Sequence, residues 1–90
     1  MPSMAVQVVA PTGVLFEGQA AQVKGPGWEG GFGLKPHHAP YLVALKAGPL
    51  ILEDESGAEL FSLEVESGYL LIARDSCRVL VEKLAQADEG

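Results

Sequence analysis

The stretch from residue 26 to residue 40 constrains the chain more than any other. It holds four glycines, three prolines, both histidines, a phenylalanine and the only tryptophan. Glycine reaches positive φ freely, while proline fixes φ and donates no backbone hydrogen bond. The stretch therefore reads as a tightly turned loop between strands. A constrained loop carrying Trp28 and Phe32 is also where function is expected.

Short strand-like runs lie on both sides. Residues 5–9 are β-branched and end at a Pro11-Thr12-Gly13 turn signal. Residues 14–16 form a short apolar piece broken by Glu17 and Gly18, and residues 19–24 read as a strand. Residues 41–45 are apolar throughout and closed by Gly48-Pro49, which favours a buried strand over a helix. Residues 50–53 follow, then a hairpin turn at Asp54-Glu55-Ser56-Gly57. In residues 59–66, Phe61, Leu63 and Val65 fall on one face and Ser62, Glu64 and Glu66 on the other. Ser67-Gly68 reads as a turn, residues 69–73 as a strand, and Arg74-Asp75-Ser76 as another turn. Residues 77–82 alternate with Cys77, Val79 and Val81 inward. The pattern predicts an all-β sandwich or barrel of about ten short strands over residues 1–84, with a polar tail at 85–90.

Composition narrows the function classes. Six basic against twelve acidic residues give a net charge of −6. That argues against nucleic acid or anionic lipid as a partner, since both are held through basic patches. No window approaches the roughly 20 apolar residues of a membrane-spanning helix. The N-terminus shows no secretory signal pattern. One cysteine, Cys77, forms no internal disulfide and reads as a buried thiol. His37-His38 lacks the further ligands a zinc site needs. Gly27, Gly30, Gly31 and Gly33 match neither dinucleotide nor P-loop spacing, and Pro36 and Pro40 stop a helix from following. Glu53, Asp54 and Glu55 sit at a polar turn, and no Gly-x-Ser-x-Gly elbow is present. No catalytic, cofactor or metal site is expected. The aromatic loop points instead to an interaction protein, with a small-ligand β-sandwich module and a metal-dependent β-barrel enzyme as the other classes.

Pro26, Gly27, Glu29, Gly30, Gly33, Leu34, Pro36, His38, Ala39 and Pro40, followed by Leu42, Ala44, Leu45 and Gly48, resemble the signature of the F-type ATP synthase epsilon subunit. The segment ending in Phe16-Glu17-Gly18, the element Ser67-Gly68-Tyr69-Leu70 and the closing Val79-Leu80-Val81 are similar in order. The resemblance implies a single flattened β-sandwich in the central rotor stalk, without chemistry or cofactor of its own. It implies two partners, the gamma subunit and the membrane c-subunit ring, and coupling of proton translocation to ATP synthesis. Carried over by position, Ala10, His38, Leu42 and Val43 face gamma, while Trp28, Glu29, Gly30, Gly31 and Phe32 form the ring-facing loop. The implied location is peripheral, at the cytoplasmic face of a bacterial inner membrane, with membrane association only through the complex. Gly31 stands where the family often has an acid, Lys35 where it usually has an apolar residue, and His37 where it usually has glycine. The chain ends at Gly90, before the family's helical hairpin, so ATP sensing and hairpin inhibition are not expected of these residues.

Overall fold

The computed structural model describes residues 3–84; the expected polar tail at 85–90 lies outside them. The described residues form eight strands and no helix: β1 (Met4–Ala10), β2 (Gly13–Ala20), β3 (Gln22–Gly27), β4 (Gly30–Leu34), β5 (His38–Leu45), β6 (Gly48–Glu53), β7 (Glu59–Arg74) and β8 (Ser76–Leu84). The all-β class stands, with eight strands where about ten were expected. Two expected breaks are absent. Glu17 and Gly18 do not break β2, which pairs with β1 across both residues. Ser67-Gly68 is no turn, because β7 runs through it for 16 residues.

β7 organises everything else. Its first part, up to Val65, pairs with β6, and its second part, from Gly68, pairs with β5. The second part also pairs with β8 on its other side, and the register shifts around Ser67. One layer therefore runs β2-β1-β8-β7-β5 and the other β4-β3-β6-β7, with β7 shared. Both layers face one core. Val6, Val8, Leu70, Ile72 and Val79 from the first meet Val23, Leu50, Leu52 and Val65 from the second. Alternation explains which side chains go in, since successive strand residues point to opposite faces. Between β2 and the first part of β7, Phe16 and Phe61 stack with ring centroids 5.1 Å apart.

β1 and β8 pair in parallel, Val8 opposite Val79, while the other pairings are antiparallel. The β7–β8 turn is tied down from two sides. The Arg74 carbonyl accepts from His37 N at 2.9 Å, and the Asp75 carbonyl accepts from Ala5 N at 2.8 Å. Arg74 and His37 hold φ of 55° and 66°, a region that residues with a Cβ visit at a cost. The mutual hydrogen bond helps keep both there.

Gly68 is required where β7 meets β8. A Cβ at this position would collide with the Leu80 carbonyl oxygen and stand 3.1 Å from the Val81 Cα, both backbone atoms that cannot swing aside. Gly68→Ala is expected to lower the unfolding free energy by about 1–3 kcal/mol in a urea titration. Cys77 is buried, and desolvation pushes its thiol up from 9.0 to about 12. The folded chain thus holds this proton more tightly than the unfolded chain does. That contribution is complete below pH 9.0 and is lost as pH rises toward about 12. The stability of the parent relative to Cys77→Val should fall across this window, read from denaturation midpoints at successive pH values.

Candidate interaction surface

The outer face of the five-stranded layer carries an apolar patch beside the polar Glu17, Gln7 and Arg78. Cross-strand register lines up Val14, Val9, Leu80, Tyr69 and Ala44 in one row across β2, β1, β8, β7 and β5. The next row runs Glu17, Gln7, Arg78, Leu71 and Leu42. Leu42 is 62% exposed and Leu71 51% exposed. Clustered exposure of large apolar side chains on one face marks an interaction site. The cause lies in the sequence. Residues 41–45, 69–73 and 79–81 are apolar at every position, so both faces of these strands seek burial, and the core covers only one. The second layer differs: on its outer face Lys24 pairs with Glu53 at 3.1 Å, and Ser62 and Glu64 are exposed.

The stretch 26–40, expected as a loop, is mostly strand. β3 and β4 form a hairpin with Gly27 opposite Gly30 and only Trp28 and Glu29 between. Gly30 takes φ 128°, which suits a residue without Cβ at the turn. The hairpin is fixed to β5 by Trp28 N donating to Ala44 O at 3.1 Å and Lys46 N donating to Pro26 O at 2.9 Å. Beyond this point the tip and β5 separate and leave a cleft of 480 Å³.

The expected ring-facing residues fall together at this tip. Trp28 is 69% exposed, and Glu29, Gly30 and Gly31 are exposed beside it. Phe32 differs: it packs against the core, and its ring lies where Cβ atoms on Gly25 and Gly27 would be, 2.7 and 3.2 Å away. It props the hairpin from inside. A Cβ on Gly31 would meet only the Gly25 carbonyl oxygen at 3.8 Å, so the backbone there has room for a side chain.

The expected gamma-facing residues are divided. Leu42 is on the apolar outer face, whereas Ala10 and Val43 are buried in the core. His38 begins β5 opposite Arg74. Val14, Tyr69, Leu71 and Leu80 went unnoticed in the sequence as a face. The available signal was the unbroken apolar runs at residues 41–45, 69–73 and 79–81.

Among the described residues the titratable groups make no catalytic constellation. His37 Nδ1 lies 2.9 Å from Asp75 Oδ1 with both side chains largely exposed. Asp54 Oδ1 caps its turn, accepting from Ser56 Oγ at 2.7 Å, Ser56 N at 2.9 Å and Ala58 N at 3.0 Å. These bonds, led by the Ser56 hydroxyl, lower its carboxyl below the usual range. Among the described residues no three His, Cys, Asp or Glu side chains group closely enough to hold a metal ion.

Comparison with known proteins gives the family. The family described as "ATP synthase, Delta/Epsilon chain, beta-sandwich domain" matches residues 3–87. An ATP synthase epsilon chain of Sulfurovum sp. is 33% identical over 82 residues, covering 91% of this chain and 63% of that one. The epsilon chain of Leptospira interrogans is 38% identical, covering 86% and 59%. This chain thus spans about three fifths of the length of these relatives. The epsilon chain of Caulobacter vibrioides is 29% identical and is covered over 99% of its length, with 97% of this chain matched. Among solved structures, a chain of the Euglena gracilis mitochondrial ATP synthase (OSCP/F1/c-ring) superposes with TM-score 0.83 at 14% identity, covering 94% of this chain and 54% of that one. A chain of the Tetrahymena thermophila mitochondrial ATP synthase central stalk and c-ring gives 0.73 at 18%, covering 96% and 72%. The two superpositions show a shared fold.

Proposed function

The chain belongs to the ATP synthase Delta/Epsilon chain beta-sandwich domain family, and on that premise we propose that it is a non-catalytic central-stalk component that docks its apolar outer face on the gamma subunit. The observation that carries this reading is the exposed row of Leu80 and Tyr69 with Leu71 and Leu42 beside it. Fully burying a leucine side chain contributes roughly 1.5–3 kcal/mol, so a few such residues at the centre of an interface supply most of a stable contact.

The hairpin tip with Trp28 and Glu29 meets the membrane c-subunit ring. Its two-residue turn and its backbone bonds to β5 make it stiff. A stiff contact suits a component that passes torque between proton flow and ATP synthesis. The chain sits at the cytoplasmic face of a bacterial inner membrane and is held there only through the complex. Its own residues bind neither nucleotide nor metal in this role.

Leu80→Asp places a charge in the middle of the proposed contact without touching the core. It is expected to weaken binding to purified gamma subunit roughly a hundredfold by calorimetric titration. Unchanged affinity would sink the docking reading. The tip is read separately through the only tryptophan. Acrylamide should quench Trp28 readily in the isolated chain and poorly after assembly with gamma and the c ring. Equal quenching in both would remove the tip from the ring contact.

A further inference from the structure

β5 pairs with β7 from His38 to Leu45, but with β3 only where Gly27 faces Leu45. The Ala44 carbonyl is turned away from β7 and accepts from Trp28 N at 3.1 Å. Backbone groups along an antiparallel strand alternate in direction, so Leu42, two residues earlier, turns its N–H and carbonyl to that same side. β3 ends at Gly27, and among the described residues no strand pairs with Leu42 there. Leu42 lines the 480 Å³ cleft between β5 and the hairpin tip. Gly30 and Gly31 line it from the tip and bring no side chains. Phe32 and Val43 line it too, and both approach Gly27, where a Cβ would stand 3.2 Å from one and 3.3 Å from the other.

A stretch of strand edge with an open donor and acceptor is a template for another strand. Pro40 limits this one, since proline brings no N–H. The template runs from Pro40 to Ala44, about 13 Å of extended chain. We infer that the gamma subunit, docked on the adjoining apolar patch, lays an extended segment of about four residues in the cleft and pairs its backbone with Leu42. Patch and edge meet in this one residue: its side chain is exposed on the outer face and its backbone turns to the cleft. A partner that covers the side chain also strips water from the N–H and carbonyl, and each then needs a replacement bond. An extended segment supplies both in register, whereas a helix spends its backbone groups on itself. Alternate side chains of the segment point toward Phe32 and Val43, which favour a small or β-branched apolar residue; the others join the patch. Backbone bonds then hold the segment, and the apolar lining of the cleft selects it.

This inference rests on the docking reading, and the experiment separates the two. The full 90-residue chain is titrated with purified gamma subunit. Leu42→Ala trims the side chain and keeps the N–H; Leu42→Pro removes the N–H as well. Leu42→Pro is expected to bind about tenfold or more weakly than Leu42→Ala. Circular dichroism spectra and urea midpoints check that both variants fold, as expected where the N–H takes no part in the β5–β7 ladder. The parent complex gives a reading that needs no variant. With gamma bound, the Leu42 amide proton should exchange roughly a hundredfold more slowly than in the free chain, read by nuclear magnetic resonance. Leu71→Asp, on the same face but outside the cleft, tests docking alone. Equal affinities of the two Leu42 variants, or a Leu42 amide that exchanges as fast in the complex as in the free chain, refute strand addition, and docking still stands if Leu71→Asp abolishes binding. If Leu71→Asp binds as tightly as the parent, the docking reading falls and strand addition with it.

Discussion

The architecture hangs on the close approach of two backbones at Gly68. Here β7 passes from one layer to the other, and the Leu80 carbonyl lies where a side chain would otherwise be. Without that approach β7 would have to end, and the layers would need separate strands with their own edges. One continuous strand keeps the ladder going on both sides of the bend. The irregular register around Ser67 is how an extra residue is absorbed while the strand changes direction. The two outer faces take their characters from the two parts of this one strand. Before the bend its outward residues include the polar Ser62 and Glu64; after it they are Tyr69 and Leu71.

That switch divides the molecule into a solvent side and a partner side. The polar outer face of the second layer is at ease in water. The apolar outer face of the first layer exposes side chains whose burial against a partner releases water in the same way the core does. Its strands carry the composition of strands buried on both faces, and only one face is buried within this chain. The glycine-rich hairpin adds a second kind of surface. There the backbone is close to the outside, one large aromatic side chain projects, and Phe32 holds the hairpin down from within.

Much of this was legible in the residues. The alternation of residues 59–66 and 77–82 named the core side chains, and the turns at Asp54 and Arg74 are where the composition puts them. The glycine-proline stretch misled, because Gly and Pro are read as breakers. In β3 and β4 they are tolerated since Phe32 fills the space over Gly25 and Gly27. Ser67-Gly68 misled for a related reason: glycine marks close approach as well as turning, and only the position of Leu80 tells them apart. Ala10 and Val43 were read as contact residues by position. Their burial depends on which way each strand faces, a property fixed by pairing rather than by local sequence. The outer face was missed because an apolar run of five residues predicts burial without saying what does the burying.

The parallel pairing of β1 with β8 has a bearing on how the chain finds this structure. Val8 and Val79 are partners, so the first of the described strands is completed by the last of them. The β1–β2 hairpin is local and can form early, but its other edge stays open until β8 has been synthesised. Long-range pairings of this kind must overcome loop-closure entropy before they contribute, which makes folding slow and late-closing. During that interval an emerging chain exposes the unpaired edge of β1 together with the apolar runs of β5 and β7. The Arg74-Asp75 turn bears on that interval. By folding β8 back on β7 within two residues, it places the missing strand beside β1 as soon as the chain is long enough to reach.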